Sequence, residues 1–64
     1  MTVKELKKGE FFTKKPIADP TDSQVWIRGA YDREQKKFEC VCFADCNKYC
    51  YIKGSKEVYT EFTF

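Results

Sequence analysis

Two segments rich in β-branched, aromatic and thiol side chains, joined by a short polar stretch, constrain the fold of this chain more than any other feature. Residues 24–31 and 38–43 each have the composition of a β-strand, and residues 32–37 between them are all charged or amide residues. The pattern predicts an antiparallel hairpin. Placing Tyr31 opposite Phe38 sets every other pair in it, because side chains alternate between the two faces of a strand.

In this register, small and medium-sized side chains share one face, which we predict to face the core. The pairs on that face are Tyr31 with Phe38, Gly29 with Cys40, Ile27 with Cys42 and Val25 with Ala44. The outer face then carries Trp26 opposite Phe43, Arg28 opposite Val41 and Ala30 opposite Glu39. A shift of one residue would exchange the two faces and bury Arg28 and Glu39, so the first register is favoured.

The remainder of the chain supplies three more strand signals and one long loop. We predict strands over residues 10–13, 48–53 and 57–64, with Val58, Phe62 and Phe64 on one face of the last. We also predict an irregular loop over residues 14–23, which contains both prolines. Five short strands with one long loop after the first are typical of an SH3-like barrel. An OB-like barrel usually needs more residues, and a barrel avoids the exposed sheet edges of a small open sheet.

The start of the chain predicts a short helical turn. Thr2 and Glu5 have the spacing of a capping box, and the turn extends over residues 3–8. So short a helix is unstable by itself, so Leu6 should dock on the sheet. The predicted fold class is therefore all-β: one domain over residues 1–64, a small five-stranded SH3-like barrel with a short N-terminal helical turn.

Charge and composition argue against catalysis. The chain has no histidine, which removes the usual general base, the Ser–His and Cys–His pairs and any zinc site that uses imidazole. The carboxylates fall mainly in turns or on outward positions, so no candidate base accompanies a cysteine. We therefore expect a binding or accessory module that is not an enzyme and needs no cofactor.

Four cysteines lie within eleven residues, at positions 40, 42, 46 and 50. Cys40, Cys42, Cys46 and Cys50 are the candidates for a thiolate zinc site, but two well-separated knuckles of the kind such sites use are missing. Cys40 and Cys42 instead share one strand face, where they would act as small core side chains. A structural disulfide is a further alternative, disfavoured in a reducing compartment.

The candidate interaction surface comprises Trp26, Arg28, Val41 and Phe43 on the predicted outer face. In one interpretation it binds an unknown protein partner or a second copy of the chain. In the other, the 14–23 loop or the turn bearing Leu6 covers the aromatic side chains. Both interpretations stay open.

Weak binding of single-stranded nucleic acid is an alternative function. Lysines such as Lys48 and Lys53 flank Tyr49 and Tyr51, a combination that can attract phosphates and stack bases. A formal net charge of only +2 argues against it, because nucleic-acid-binding domains usually carry a stronger basic excess.

The sequence also indicates where the protein works. No apolar run approaches the roughly 20 residues that span a bilayer, and residues 1–8 lack the hydrophobic core of a signal peptide. We therefore expect a soluble, cytoplasmic protein without a membrane partner, in which most cysteines are reduced.

Several strand and turn signatures together resemble a group of short uncharacterised proteins of gut bacteria and their phages. These are Leu6-Lys7-Lys8-Gly9-Glu10-Phe11-Phe12, Val25-Trp26-Ile27-Arg28-Gly29 leading to Tyr31-Asp32-Arg33, Lys53-Gly54, and Glu57-Val58-Tyr59 closing on Phe62. The resemblance covers nearly the whole chain and implies a small β fold, a link to phages or mobile elements and no assigned activity. The run of four cysteines departs from the pattern of that group, which counts against a metal role.

Overall fold

A four-stranded antiparallel sheet in the order β1–β2–β3–β4 organises the chain, as seen in a computed structural model that describes residues 1–45 and 47–63. The strands are β1 (Phe11–Phe12), β2 (Trp26–Asp32), β3 (Lys37–Cys42) and β4 (Tyr49–Ile52). All four coincide with predicted strand segments, to within one or two residues at their ends. The only helices in the described residues are two short 3₁₀ turns, Val3–Glu5 and Asp22–Gln24, so the chain is mostly β, as predicted.

The predicted fifth strand and closed SH3-like barrel are not confirmed. Residues 57–59 form two isolated bridges, Glu57 with Thr2 and Tyr59 with Thr13, instead of a ladder along one strand. Because the segment divides its pairing between two separate parts of the chain, the sheet stays open, with β1 and β4 as its edge strands. Phe64, assigned to the predicted fifth strand, lies outside the described residues.

The hairpin of β2 and β3 contains a β-bulge that the sequence pattern did not predict. Tyr31 lies opposite Phe38, as predicted, but Arg28 lies opposite Cys40, so two residues of β2 face one residue of β3 between these pairs. From Arg28 toward the start of β2, the register therefore differs by one residue from the prediction. This shift reverses the faces of β2 there, and the predicted outward orientation of Trp26 and Arg28 is wrong.

Gly29 explains why the bulge occurs at this position. A β-carbon on Gly29 would lie 2.5 Å from the carbonyl oxygen of Glu39, closer than non-bonded atoms approach. Only glycine allows the backbones of β2 and β3 to approach so closely. The bulge therefore depends on a contact between strands, not on the pattern along one of them.

One face of the sheet, here called the inner face, carries the hydrophobic core. Its buried members come from the first 3₁₀ turn, all of the first three strands and the C-terminal segment: Val3, Leu6, Phe12, Trp26, Phe38, Cys40, Cys42 and Val58. Cys50 and Ile52 of β4 pack against this cluster and are partly buried. The prediction that Phe38, Cys40 and Cys42 point inward is confirmed, and Tyr31 is 48% exposed.

The first 3₁₀ turn closes the inner face at the start of the chain. The carboxylate of Glu5 accepts hydrogen bonds from the Thr2 backbone N–H and hydroxyl, both at 2.8 Å. Leu6 is buried in the core, which confirms the prediction that it anchors this turn. The Val3 and Lys4 N–H groups donate to the carbonyls of Lys56 and Gly54, so the turn is also tied to the segment that follows β4.

The 14–23 loop is irregular, as predicted, and ends in the second 3₁₀ turn, which packs against β3. The Thr13 hydroxyl donates to the Lys15 carbonyl at 2.6 Å and fixes the start of the loop. Pro20 is buried, and Ile17 is half-buried. Nowhere in residues 1–45 and 47–63 is there a helix with the length and apolar character needed to cross a membrane.

Candidate functional site

A row of apolar side chains crosses all four strands on the outer face of the sheet. Phe11 lies opposite Ile27, Ile27 opposite Val41, and Val41 opposite Tyr49. Directly opposed residues in neighbouring strands point to the same face, so these four side chains form one continuous row. We call Phe11, Ile27, Val41 and Tyr49 the outer row.

Both ends of the outer row are open to solvent. Tyr49 is 58% exposed and Phe11 38%, whereas Ile27 and Val41 in the middle are half-buried. Phe43, which is 42% exposed, extends the row through an edge-to-face contact with Phe11, with ring centroids 5.4 Å apart. An apolar patch of this kind is uncommon on a monomeric domain and is typical of a contact surface.

Polar residues border the outer row toward the β2–β3 turn. Glu39 lies opposite Tyr51, and Asp32 lies opposite Lys37 at the end of the hairpin. Partial desolvation raises the pKa of the Tyr51 hydroxyl, and the nearby carboxylate of Glu39 raises it further. The outer face thus has an apolar half, formed by the outer row, and a polar half toward the β2–β3 turn.

The four residues predicted from the sequence as an interaction surface lie on two different faces. Val41 and Phe43 lie on the outer face, Val41 within the outer row and Phe43 beside it. Trp26 is only 8% exposed, lies opposite Cys42, and belongs to the core. The Lys14 ammonium group, 3.9 Å from the centre of the indole ring, covers its remaining surface through a cation–π contact. The 14–23 loop therefore covers Trp26, and Phe43 stays exposed.

Arg28 also lies on the inner side of the sheet, because it shares a face with Cys40 and Trp26. Its guanidinium group stacks on the ring of Phe38 at 4.1 Å from the centroid, and the ring of Tyr31 contacts the same phenyl group at 5.0 Å. The Nε atom of Arg28 is buried and has no hydrogen-bond partner among the described residues. Arg28 therefore closes the core beside the bulge and does not contribute to the outer row.

The three described cysteines are free thiols on the inner face. Cys40 lies opposite Cys50, and burial raises the pKa of the Cys40 thiol to about 11, with the Cys50 thiol adding to the shift. The Cys42 thiol approaches the Ser23 carbonyl at 3.7 Å. Within residues 1–45 and 47–63, no three His, Cys, Asp or Glu side chains are grouped to hold a metal ion. The fourth candidate, Cys46, lies outside the described residues.

Two clefts open beside the core. A cleft of about 400 Å³ lies between the 14–23 loop and the C-terminal segment and includes Ile17 and Val58 in its walls. A second cleft, of about 280 Å³, lies between β4 and the segment after it. It is lined by Lys14, Cys50, Tyr51, Ile52, Lys56 and Val58. We call this second space the β4 cleft.

Phe11, Ile27 and Tyr49 were not predicted from the sequence as members of a shared surface. Tyr49 was named only as a stacking residue for nucleic acid, and Ile27 was expected in the core. The position of Tyr49 opposite Val41 could have been predicted, because the side chains of β3 and β4 alternate regularly between the two faces of the sheet. The orientation of Ile27 had no such signal, since the bulge reverses it.

Comparison of the chain with protein-family models, curated proteins and solved structures found no match. The resemblance to short proteins of gut bacteria and their phages stays a prediction. Function is therefore inferred from the geometry of the chain alone.

Proposed function

We propose that this chain is a non-enzymatic protein-interaction module that associates with a second copy of itself through the outer row. The observation that carries the proposal is the continuous line of apolar side chains across all four strands, ending in the exposed ring of Tyr49. Burying such a row gains free energy in proportion to the apolar area removed from water.

The lack of charge in the outer row supports a second copy as the partner. A two-fold interface brings each residue close to its own equivalent, so charged side chains in the centre would repel one another. Phe11, Ile27, Val41 and Tyr49 include no acidic or basic residue, and the formal net charge of the whole chain is only +2. The polar residues Glu39 and Lys37 fall at the rim, where water still reaches them.

Sedimentation velocity over a concentration series tests self-association. We expect the wild-type protein to form dimers as its concentration rises, and Tyr49→Ser to shift this equilibrium toward monomer. Tyr31→Ser is the matched control, because Tyr31 is also an exposed tyrosine, at 48%, but pairs with Phe38 on the other side of the sheet. A wild-type protein that stays monomeric throughout, or equal effects of the two substitutions, would contradict the proposal.

A related proposal concerns the barrel. The bridge between Thr13 and Tyr59, made by two backbone hydrogen bonds of 2.8 and 3.0 Å, lies directly after β1. This bridge supports the proposal that residues 57–59 correspond to the fifth strand of an SH3-like barrel. In this interpretation the barrel remains open at the β4 cleft. The cytoplasmic location and the link to phages of gut bacteria belong to the same proposal, supported by the sequence features and the resemblance described above.

A further inference from the structure

The outward edge of β4 offers unpaired backbone groups. The Cys42 N–H donates to the Lys48 carbonyl, and the pairing of β3 with β4 is regular from Val41–Tyr49 to Phe38–Ile52. By the alternation of an antiparallel ladder, the N–H and C=O groups of Tyr49 and Tyr51 point away from β3. Within the described residues these groups have no hydrogen-bond partner. An edge of this kind can accept a further strand.

The β4 cleft lies beside this edge on the inner side of the sheet. Its apolar walls come from Cys50 and Ile52 of β4 and from Val58 across the gap. A strand added to β4 would point every second side chain toward this inner side. With a volume of about 280 Å³, the β4 cleft has room for an aliphatic side chain of such a strand.

Lysines surround both the edge and the cleft. Lys48 and Lys53 flank β4 in the sequence, and Lys14 and Lys56 line the cleft. None of these four lysines forms an ion pair with a described acidic residue. The field at this edge therefore favours a partner that carries negative charge.

The same charges argue against pairing of two β4 edges. An antiparallel pair of β4 strands that joins Tyr49 of one copy to Tyr51 of the other would gather the Lys48 and Lys53 side chains of both copies along one short ladder. Uncompensated like charges oppose such an approach, and lysine at an edge is a common protection against edge-to-edge association. The occupant that fits is thus an extended acidic segment of another protein.

We propose that the edge of β4 binds an extended, acidic segment of a partner protein by strand addition. The added strand bonds to the backbone of Tyr49 and Tyr51, places an aliphatic side chain in the β4 cleft, and places its carboxylates near Lys48, Lys53 and Lys56. This site uses the backbone of Tyr49, whereas the outer row uses its side chain, so strand addition does not depend on self-association.

Binding of a short blocked peptide, with glutamates at both ends and a valine–threonine–valine centre, tests the proposal by calorimetry and by amide chemical shifts. We expect saturable binding, with the largest shifts at the amides of Tyr49 and Tyr51. Methylating the alternate peptide nitrogens that face β4 removes hydrogen bonds and keeps the charge, and should weaken binding about tenfold. Replacing the glutamates of the peptide by lysines should weaken it at least as much.

Variants of the protein test whether the lysines beside β4 attract the peptide. Lys53→Glu should weaken binding of the glutamate peptide and improve binding of the lysine peptide. Lys8→Glu, in the turn before β1, is the control and should change the binding of neither peptide. Absence of binding, equal binding of the methylated peptide, or binding of a mixed single-stranded oligonucleotide in place of the peptide would overturn the proposal. Tyr49→Ser keeps the backbone groups of β4. A loss of dimer without a loss of peptide binding, or the reverse, therefore separates the two proposals.

Discussion

Trp26 lies directly opposite Cys42 in the ladder between β2 and β3, on the inner face of the sheet. Its indole ring is therefore enclosed by the core on one side and by the Lys14 ammonium group on the other. The largest side chain in the protein thus belongs to the core, and the proposed contact surface consists of the smaller aromatic and aliphatic residues of the outer row.

Trp26→Ala should strongly destabilise the protein. Truncating a buried aromatic side chain costs about 3–5 kcal/mol, which is comparable with the whole free energy of unfolding of a domain this small. Phe43→Ala truncates a side chain that is 42% exposed, so it should lower the free energy of unfolding clearly less than Trp26→Ala. Urea titrations followed by circular dichroism measure both, and equal losses of stability would contradict the burial of Trp26.

Gly29→Ala should destabilise the hairpin of β2 and β3. The new methyl group would lie 2.5 Å from the Glu39 carbonyl oxygen, so the two strands must move apart at the bulge. We expect a loss of roughly 1–3 kcal/mol, the usual cost of overpacking. Ala30→Ser, at the exposed neighbouring position, should stay within about 0.5 kcal/mol of the wild type. Thermal unfolding of both variants tests this, and a neutral Gly29→Ala would argue against the bulge.

Glu5 should make the protein less stable in acid. Hydrogen bonds from the backbone N–H and the hydroxyl of Thr2 hold the pKa of Glu5 below its ordinary value of 4.5. The folded-state pKa is lower than the unfolded one, so the stabilisation is present above the unfolded value and is lost as pH falls through the folded value. In Glu5→Gln, the melting temperature should therefore fall less steeply between about pH 5 and pH 3.

Glu34→Gln is the control for this pH dependence. Glu34 is exposed in the β2–β3 turn, and its carboxylate accepts no hydrogen bond within the described residues. Its replacement should leave the slope of melting temperature against pH unchanged. Identical slopes for the wild type and Glu5→Gln would show that the contact with Thr2 does not contribute.

Alkylation should distinguish the cysteines on the inner face. Burial raises the pKa of Cys40 to about 11, so at pH 8 only about one molecule in a thousand carries the reactive thiolate there. Cys50 is half-buried and lines the β4 cleft, where a reagent can reach it. In a Cys46→Ser background, mass spectrometry of iodoacetamide-treated protein should find Cys50 modified before Cys40. The opposite order would contradict the orientation of β4.

Local patterns were sufficient to predict much of this architecture. The spacing of Thr2 and Glu5 predicted the first turn, because a capping interaction involves only neighbours in the sequence. The polar stretch between β2 and β3 predicted their turn, in which Asp32 accepts a hydrogen bond from the Glu34 N–H at 2.9 Å. Alternation along β3 correctly placed Cys40 and Cys42 inside and Val41 outside.

The candidate site was harder to predict, because its membership depends on how strands meet. Val41 and Phe43 were recognised because β3 is regular. Trp26 and Arg28 were placed on the wrong face, and Ile27 was expected in the core, because the register was extended through Gly29 without a bulge. Phe11 joins the site through its pairing with Ile27 and its contact with Phe43, both of which connect residues far apart in the sequence.

The amino-acid order by itself determined where the strands and turns lie, since alternation, turn residues and capping act over a few neighbouring positions. Only the folded structure decided which side of β2 is buried and that the sheet stays open at β4. The first outcome follows from the close approach of Gly29 to Glu39. The second outcome arises because residues 57–59 pair with both Thr2 and Thr13. Neither the approach of Gly29 to Glu39 nor this pairing can be predicted from the local sequence pattern.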